Sequence, residues 1–392
     1  MTTFRDLGLK AEIVDALAAA GIDEPFPIQA ATIADALDGR DVCGKAKTGS
    51  GKTLAFGLPM LQTVAQARPG HPCALVLVPT RELAKQVVDV LSPIGKDVGS
   101  RVAAFYGGTS MERQIRSLRR RIEVAVATPG RLIDLLERNE LDLDDIAILV
   151  VDEADRMADM GFLPQVEWIL RKVPEDRQTL LFSATLDREV DVLVRRYMRD
   201  PVRHEVVQET QTVDEMMHRF LKVHDLDRVK VLAAIASGVP RTMVFVRTKR
   251  GADKLVSQLK REGVHAAAIH GDLRQSARER ALKDFSQGNH GVLVATDVAA
   301  RGIHVDDVDV VVHYDPPEEH KAYVHRSGRT ARAGNEGIVA TFVLWNQELE
   351  VERLQRRLGM REPIIEVFSN DPRLADLESL DSPAPKRRVA AS

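Results

Sequence analysis

The chain has 392 residues, more than one compact core usually holds, so two domains of somewhat under about 200 residues each are expected. With 44% apolar, 29% charged and 4% aromatic residues, it reads as a globular α/β protein rather than a fibrous, disordered or disulfide-stapled one. The formal net charge of −3 excludes bulk basicity as a source of nucleic-acid affinity, so any such contact must come from local groups and backbone amides.

In chain order, Met1 to Lys10 lacks a basic-then-apolar leader pattern. No apolar run approaches the roughly 20 residues that span a bilayer, so a cytoplasmic protein with no membrane partner is expected. Asp41 to Gly44 is strand-like and runs into Ala46-Lys47-Thr48-Gly49-Ser50-Gly51-Lys52-Thr53, with a helical pattern from Leu54 to Gln66. The two cysteines, Cys43 and Cys73, lie in apolar strand-like surroundings and are expected as buried reduced thiols. Apolar, β-branched runs at Ala74 to Val78, Val102 to Phe105, Val124 to Ala127, Ile146 to Val151 and Thr179 to Phe182 alternate with amphipathic stretches. That rhythm predicts crossover units on a parallel sheet. It weakens after Pro201 and resumes at Thr242 to Val246, Ala266 to Ile269, Val292 to Ala295 and Val308 to Val312. A last helical pattern runs from Trp345 to Leu358, and Pro363, Pro372, Pro383 and Pro385 lead to Lys386-Arg387-Arg388. The expected organisation is a first domain over 1–207, a linker over 208–214, a second domain over 215–370 and a short flexible tail over 371–392. The two domains share one strand-helix beat but no repeated words, and the cleft between them is the expected site.

The segment from Ala46 to Thr53 has the form of a phosphate-binding loop in its required strand-loop-helix setting, with Ala46 where the first Gly is usual. Glycines at 49 and 51 let the backbone curl until N–H groups face a phosphate, and the helix N-terminus adds its positive end. Thr48 and Ser50 belong to the same cradle, Lys52 would neutralise the terminal phosphates, and the Thr53 hydroxyl can ligand magnesium (Mg2+). Such a loop needs an acid at the end of a neighbouring strand. Ile146 to Val151 delivers Asp152, which would hold the metal partly through water, and Glu153, which would position or deprotonate the attacking water. These residues imply nucleotide hydrolysis but also fit a nucleotide kinase or a GTPase.

The acids sit in Asp152-Glu153-Ala154-Asp155, and from Phe4 to Phe342 the chain resembles the DEAD-box ATP-dependent RNA helicases, whose short motifs appear here in the family's order. The resemblance implies two tandem RecA-like domains, each a mostly parallel sheet flanked by helices, with the active site in the interdomain cleft. Gly21 to Gln29 is similar to the adenine-recognising motif, which implies that Gln29 reads the adenine edge of ATP with its amide, with Phe4 and Ile22 near the base. Ile22 stands where an aromatic residue usually stacks, and Phe26 where a small hydroxyl residue is usual. The RNA-binding motifs of the first domain are matched at Pro79, Thr80, Arg81, Gly108, Thr128, Gly130 and Arg131. Those of the second are matched at Arg247, Thr248, Gly271, Asp272, Gln275, Arg278 and Thr296. Such residues imply a sequence-independent grip on single-stranded RNA. Taken singly they are weak, since Thr80 could merely cap the following helix.

His325 to Gly334 resembles the arginine-finger motif, with Arg329 and Arg332 as fingers and His325 and Arg326 as organisers of the interface. Ser183 and Thr185 resemble the coupling motif, expected to hydrogen-bond the acidic tetrapeptide, with a helix N-cap at either residue as the alternative; Asp155 is expected among the coupling residues. Gly302 and His304 occupy the place where the family contacts the ATP ribose, with His304 replacing the usual Asp. The expected activity is RNA-stimulated ATP hydrolysis coupled to local unwinding of RNA duplexes or remodelling of RNA–protein complexes. An ATP-gated RNA clamp and a DNA translocase are the alternatives. The protein is expected as a monomer, and its RNA target and protein partners are not legible. Arg113, Arg116, Arg119, Arg120 and Arg121 match no motif and read as a solvated helix face rather than an RNA track.

Overall fold

The computed structural model describes residues 2–381 apart from 47, 48, 187, 207–215, 301–304, 306, 307 and 331–336. The chain divides into two units, Met1–Gln208 and Glu209–Ser392, and the expected linker lies outside the described residues. Unit 1 carries β1 (Val42–Lys45), β2 (Ala74–Leu77), β3 (Val102–Phe105), β4 (Val124–Ala127), β5 (Ile148–Asp152), β6 (Gln178–Ser183) and β7 (Val202–Glu205) in one parallel sheet, in the order β3-β4-β2-β5-β6-β1-β7. Unit 2 carries β8 (Met217–Lys222), β9 (Thr242–Phe245), β10 (Ala266–Ile269), β11 (Val292–Ala295), β12 (Val310–His313), β13 (Ile338–Val343) and β14 (Ile364–Glu366), all parallel, in the order β10-β11-β9-β12-β13-β8-β14. Each strand of the second sheet therefore occupies the place of the strand seven before it, and the two units are one topology built twice.

The apolar runs follow from burial on both faces. In β4, Val124 and Val126 pack into one core layer while Ala125 and Ala127 pack into the other; β5 divides Ile148 and Val150 from Leu149 and Val151 in the same way. Helices on both faces leave no polar side, so alternation is absent from these strands. Both cysteines are buried and free, and burial pushes the Cys43 thiol up to about 11, which makes it unreactive. No described helix is long and apolar enough to cross a membrane.

The structure goes beyond the sequence reading at β7, β8, β13 and β14. In β8, His218 and Arg219 are buried, a burial that polar residues reach only with partners. The Arg219 guanidinium donates to the carbonyls of Leu377 (3.0 Å) and Glu378 (3.3 Å), and His218 Nδ1 lies 2.7 Å from the Tyr323 hydroxyl. Those partners correct the expectation of a flexible tail from residue 371. The segments Pro372–Ala375 and Leu377–Asp381 are 3₁₀ turns that bury Leu374, Leu377 and Leu380 in the core of unit 2. The fit is tight: a Cβ on Gly238 would stand 2.3 Å from the Ala375 carbonyl oxygen. Leucines spaced by three residues in a 3₁₀ segment fall on one face, which four nearby prolines obscured. The Lys386-Arg387-Arg388 triplet lies outside the described residues.

Beside Tyr323, His313 is fully buried, and burial followed by the charges of Arg326 and His218 holds it neutral, well below the usual histidine range. An unfolded histidine takes its proton near pH 6.5, so this stability is complete above about pH 6.5 and falls by roughly 1.4 kcal/mol per pH unit below it. Thermal melting at about pH 7.5 and 5.5 checks the sign, with His313→Gln expected to flatten the difference; an unchanged pH dependence in the variant would exclude His313 as its source.

Candidate active site and RNA-binding edge

The C-terminal ends of β5, β6 and β1 lie side by side in unit 1. Registry pairs Lys45 with Ser183 and Asp152 with Phe182, so the strand carrying Ser183 runs between the phosphate loop and the acidic tetrapeptide. Ser183 joins both neighbours: its carbonyl accepts from Ala46 N (2.9 Å) and its Oγ from Asp155 N (3.1 Å). Asp155 Oδ2 in turn accepts from the backbone N–H (3.1 Å) and hydroxyl (3.4 Å) of Thr185. The predicted contact of Ser183 and Thr185 with the acidic tetrapeptide is thus present.

In the phosphate loop, Gly49 (φ 84°) and Gly51 (φ 85°) take the left-handed conformation. At Gly51 a Cβ would also stand 2.4 Å from Gln29 Nε2, so conformation and packing both require glycine. The helix Lys52–Thr63 starts there, with Lys52 buried and its Nζ donating to the Ala46 carbonyl at 3.0 Å. Ala46 and Ser50 are buried and Thr53 is half-buried in the first helical turn; Thr48 lies outside the described residues. Gln29 is also committed. Its Oε1 accepts from Phe26 N and its Nε2 donates to the Gly51 carbonyl, both at 2.9 Å. One N–H and spare acceptor capacity are left for a ligand.

Phe4 is corrected: it is 2% exposed, packed in the core with Ile13, Leu17 and Ile28, and can support the adenine motif only from below. Ile22 packs half-buried against the same core. The exposed aromatic here is Phe26, 55% exposed and beside Gly51, a departure the sequence displayed without showing where its ring would lie.

The acids cluster tightly. Burial pushes the Asp152 carboxyl up to about 7, Lys52 opposes the rise, and Glu153 and Asp155 add to it. A positive ion would offset that cost. No group of three or more His, Cys, Asp or Glu able to hold a metal occurs among the described residues. The buried Asp152 carboxyl, with Lys52 acting on its charge, and the Thr53 hydroxyl in the first turn of the helix would suit magnesium in the way that ion is usually held, by few protein ligands with substrate phosphates and water supplying the rest. Glu153 has φ 54° and ψ 50°, a left-handed conformation that costs a non-glycine residue on the order of 1 kcal/mol and that clusters at functional sites. Its carboxylate pairs with Arg156, one helical turn on; the three-residue spacing was the signal for this missed partner.

The expected RNA-binding residues of unit 1 follow β2, β3 and β4, the other half of the same sheet edge. Pro79 is followed by Thr80, whose hydroxyl accepts from Leu83 N (3.3 Å) and caps the helix Arg81–Asp97. The Arg81 guanidinium covers Gly108, where a Cβ would stand 2.0 Å from it. Thr128 precedes the helix Pro129–Glu137, and Gly130 has open space around it. Arg131 is corrected. It is buried, donating to Gln114 Oε1 (2.8 Å) and the Thr109 carbonyl (3.3 Å), so it braces the loop after β3 instead of presenting its charge to a ligand.

Unit 2 repeats the layout after β9, β10 and β11. Arg247 is exposed, within 3.4 Å of Glu318. Thr248 caps the helix Lys249–Arg261 through Gly251 N at 3.0 Å. Gly271 adjoins Lys249, which is paired with Asp272 at 2.5 Å. Arg278 donates to the Ala299 carbonyl (3.4 Å), and the buried Thr296 starts the turn before Ala299. The Gln275 side chain lies outside the described residues, as do Gly302, His304 and Arg332. His325 is exposed and Arg329 half-buried at the end of the helix His320–Ser327. Arg326, expected to organise the interface, is instead buried within unit 2. It holds Asp297 with two bonds (2.6 and 2.7 Å) and donates to the Asp315 carbonyl (2.7 Å).

The DEAD/DEAH box helicase family model matches residues 26–193, and the helicase conserved C-terminal domain matches 222–334. The chain is 44% identical over 345 residues to the ATP-dependent RNA helicase CshA of Listeria monocytogenes, covering 88% of this chain and 66% of that protein. It is 42% identical over 358 residues to the DEAD-box ATP-dependent RNA helicase CshA of Geobacillus kaustophilus, covering 91% and 76%. A solved structure of S. cerevisiae Dbp5 bound to RNA and ADP BeF3 superposes with a TM-score of 0.81 at 31% identity, covering 95% of this chain and 97% of that one. Two sheets of one RecA-like topology, carrying the motifs at matching strand ends, agree with these likenesses: the chain belongs to the DEAD-box ATP-dependent RNA helicase family.

Proposed function

We propose that this chain is an RNA-stimulated ATPase that grips single-stranded RNA by its backbone and locally separates or remodels RNA structure. The observation that carries the reading is the division of one sheet edge in unit 1. Nucleotide residues follow β1, β5 and β6, RNA residues follow β2, β3 and β4, and the Ser183–Asp155–Thr185 bonds tie the nucleotide half together. The Dbp5 relative, solved with RNA and ADP BeF3, supports the same pair of ligands.

In this reading Gln29 selects adenine with its remaining donor, the loop from Ala46 to Thr53 and Lys52 hold the phosphates, and Glu153 accepts a proton from the attacking water. Asp152 and Thr53 would hold magnesium, partly through water, and the ion when bound would supply positive charge at the phosphates. Arg329 and Arg332 stabilise charge on the transferring phosphoryl group, which makes turnover depend on both units and hence on RNA. RNA is preferred to DNA because hydroxyl, glycine and amide donors read the backbone and its 2′-hydroxyl.

The expected result is ATPase activity that rises strongly with added oligouridylate and hardly with the matched oligodeoxyuridylate. Equal stimulation by both would replace the RNA reading with a DNA translocase. RNA stimulation without strand displacement would make the protein an ATP-gated clamp.

A further inference from the structure

The arginines between Arg113 and Arg121 run from the loop after β3, beside the expected RNA rim, back to the start of β4 at the other end of the sheet, and their neighbours give them a direction. The helix Met111–Leu118 begins at Ser110, two residues beyond Gly108, and Arg113, Arg116, Arg119 and Arg120 along it and just past its end are exposed. The spacing of 113, 116 and 120 sets three of them on one helical face.

At the rim end the charges are continuous with the RNA motifs. Arg81 and Arg138 are close enough to Arg131 to act on its charge, and Glu112 feels Arg116 and Arg138 together. Glu112 itself accepts from the Ser110 hydroxyl at 2.7 Å. At the far end the track opens into a depression of about 510 Å³, whose lining includes Lys96, Arg101, Arg120, Arg121, Ser100 and Ser117.

Of the nearby acids, Glu123 is buried and taken by Arg121 at 2.7 Å and by the Arg101 backbone N–H at 2.8 Å. Lys96, Arg101, Arg113, Arg116, Arg119 and Arg120 form no ion pair among the described residues. A merely solvated face usually mixes its signs. Here a path of exposed cations, offset at its start by Glu112, leaves the expected RNA-binding edge and ends in a hollow flanked by Lys96, Arg101 and Arg120.

Resting on the RNA reading above, we propose that this path from Arg113 and Arg116 to the hollow between Lys96, Arg101 and Arg120 binds the phosphates of RNA that continues beyond the motif rim. It extends the footprint of unit 1 along the edge strand β3. The contact is sequence-independent and strengthens with RNA length, because each phosphate neutralised releases counterions. It lies outside the nucleotide site, so it changes affinity and not the chemical step.

The test measures binding of fluorescent oligouridylates of increasing length, with ADP–beryllium fluoride, over a series of salt concentrations. Arg116→Ser/Arg120→Ser is expected to bind the shortest competent oligouridylate like the wild type and to keep RNA-free ATP turnover. It should lose roughly five- to ten-fold in affinity for long ones and reduce the salt slope by about 1.4, the loss of two single-strand phosphate contacts. Lys96→Ser/Arg101→Ser, at residues that also line the hollow, should give the same length-selective loss with unchanged thermal melting. Unchanged length dependence and slope in both variants would overturn the proposal and return these cations to a solvated face. Inorganic tripolyphosphate binding that the variants abolish, with RNA length dependence intact, would also overturn it in favour of a small polyanion site. Failure of every oligouridylate to bind the wild type would instead strike down the RNA reading on which the proposal rests.

Discussion

Glu153→Gln is expected to lower ATP turnover by roughly 10²- to 10⁴-fold, the span that a positioned general base contributes, while ATP and RNA still bind. The substitution is nearly isosteric. The left-handed backbone at φ 54° is available to Gln as it is to Glu, and the Arg156 guanidinium can still donate to the amide oxygen. What disappears is the capacity to accept a proton from water. Asp152, Lys52 and Thr53 keep their places, since the Asp152 Oδ1 contact uses the backbone N–H of residue 153 at 2.9 Å and not its side chain. Steady-state phosphate release, with nucleotide affinity measured separately, checks this. Turnover within a few-fold of the wild type would remove Glu153 from the chemical step, and lost ATP affinity would mean that it acts in binding.

Arg326→Ala is expected to be the most destabilising change in unit 2 among the motif residues. Its side chain is 6% exposed, holds Asp297 with both arms of the fork, donates to the Asp315 carbonyl and lies 5.3 Å from the Phe245 ring centre. Removing one partner of a buried pair costs roughly 3–5 kcal/mol. The Asp297 side chain, 34% exposed, can rehydrate in part, so roughly 3 kcal/mol is expected. At roughly 2–4 °C per kcal/mol for a unit of this size, the melting temperature should fall by roughly 6–12 °C. Arg326→Lys should recover little, because an ammonium cannot make the two-armed contact. RNA stimulation should fall with stability, since Asp297 follows Thr296 directly in the turn proposed to bind RNA. A thermal melt of the full chain decides it: a fall of less than about 2 °C would mean that the pair carries no net stability.

Much of the site was legible because its chemistry lies in short words at strand ends. A glycine-rich loop between a strand and a helix, and two acids after an apolar run, depend on neighbours in sequence, so Gly49 to Thr53 and Asp152-Glu153 could be assigned from residue types and spacing. The runs at Val124 to Ala127 and Ile146 to Val151 were equally readable, since a strand buried on both faces is apolar at every position. β8 was not, because the groups that make a buried His218 and Arg219 tolerable belong to Tyr323, Leu377 and Glu378, far along the chain.

Tertiary structure alone decided which residues of a word meet a ligand and which hold the word together. Arg131 looked like an RNA contact until Gln114 and Thr109 were seen to bury its charge, and Phe4 like a base contact until the core closed over it. It also decided that Ser183 stands between the phosphate loop and Asp155, which follows from strand order and not from spacing, and that Leu374, Leu377 and Leu380 close a core instead of trailing from it. The sequence by itself determined the chemistry available at each strand end, because backbone loops and side-chain types are local properties. Position, burial and charge balance are set by groups that only folding brings together, and they decided how that chemistry is deployed.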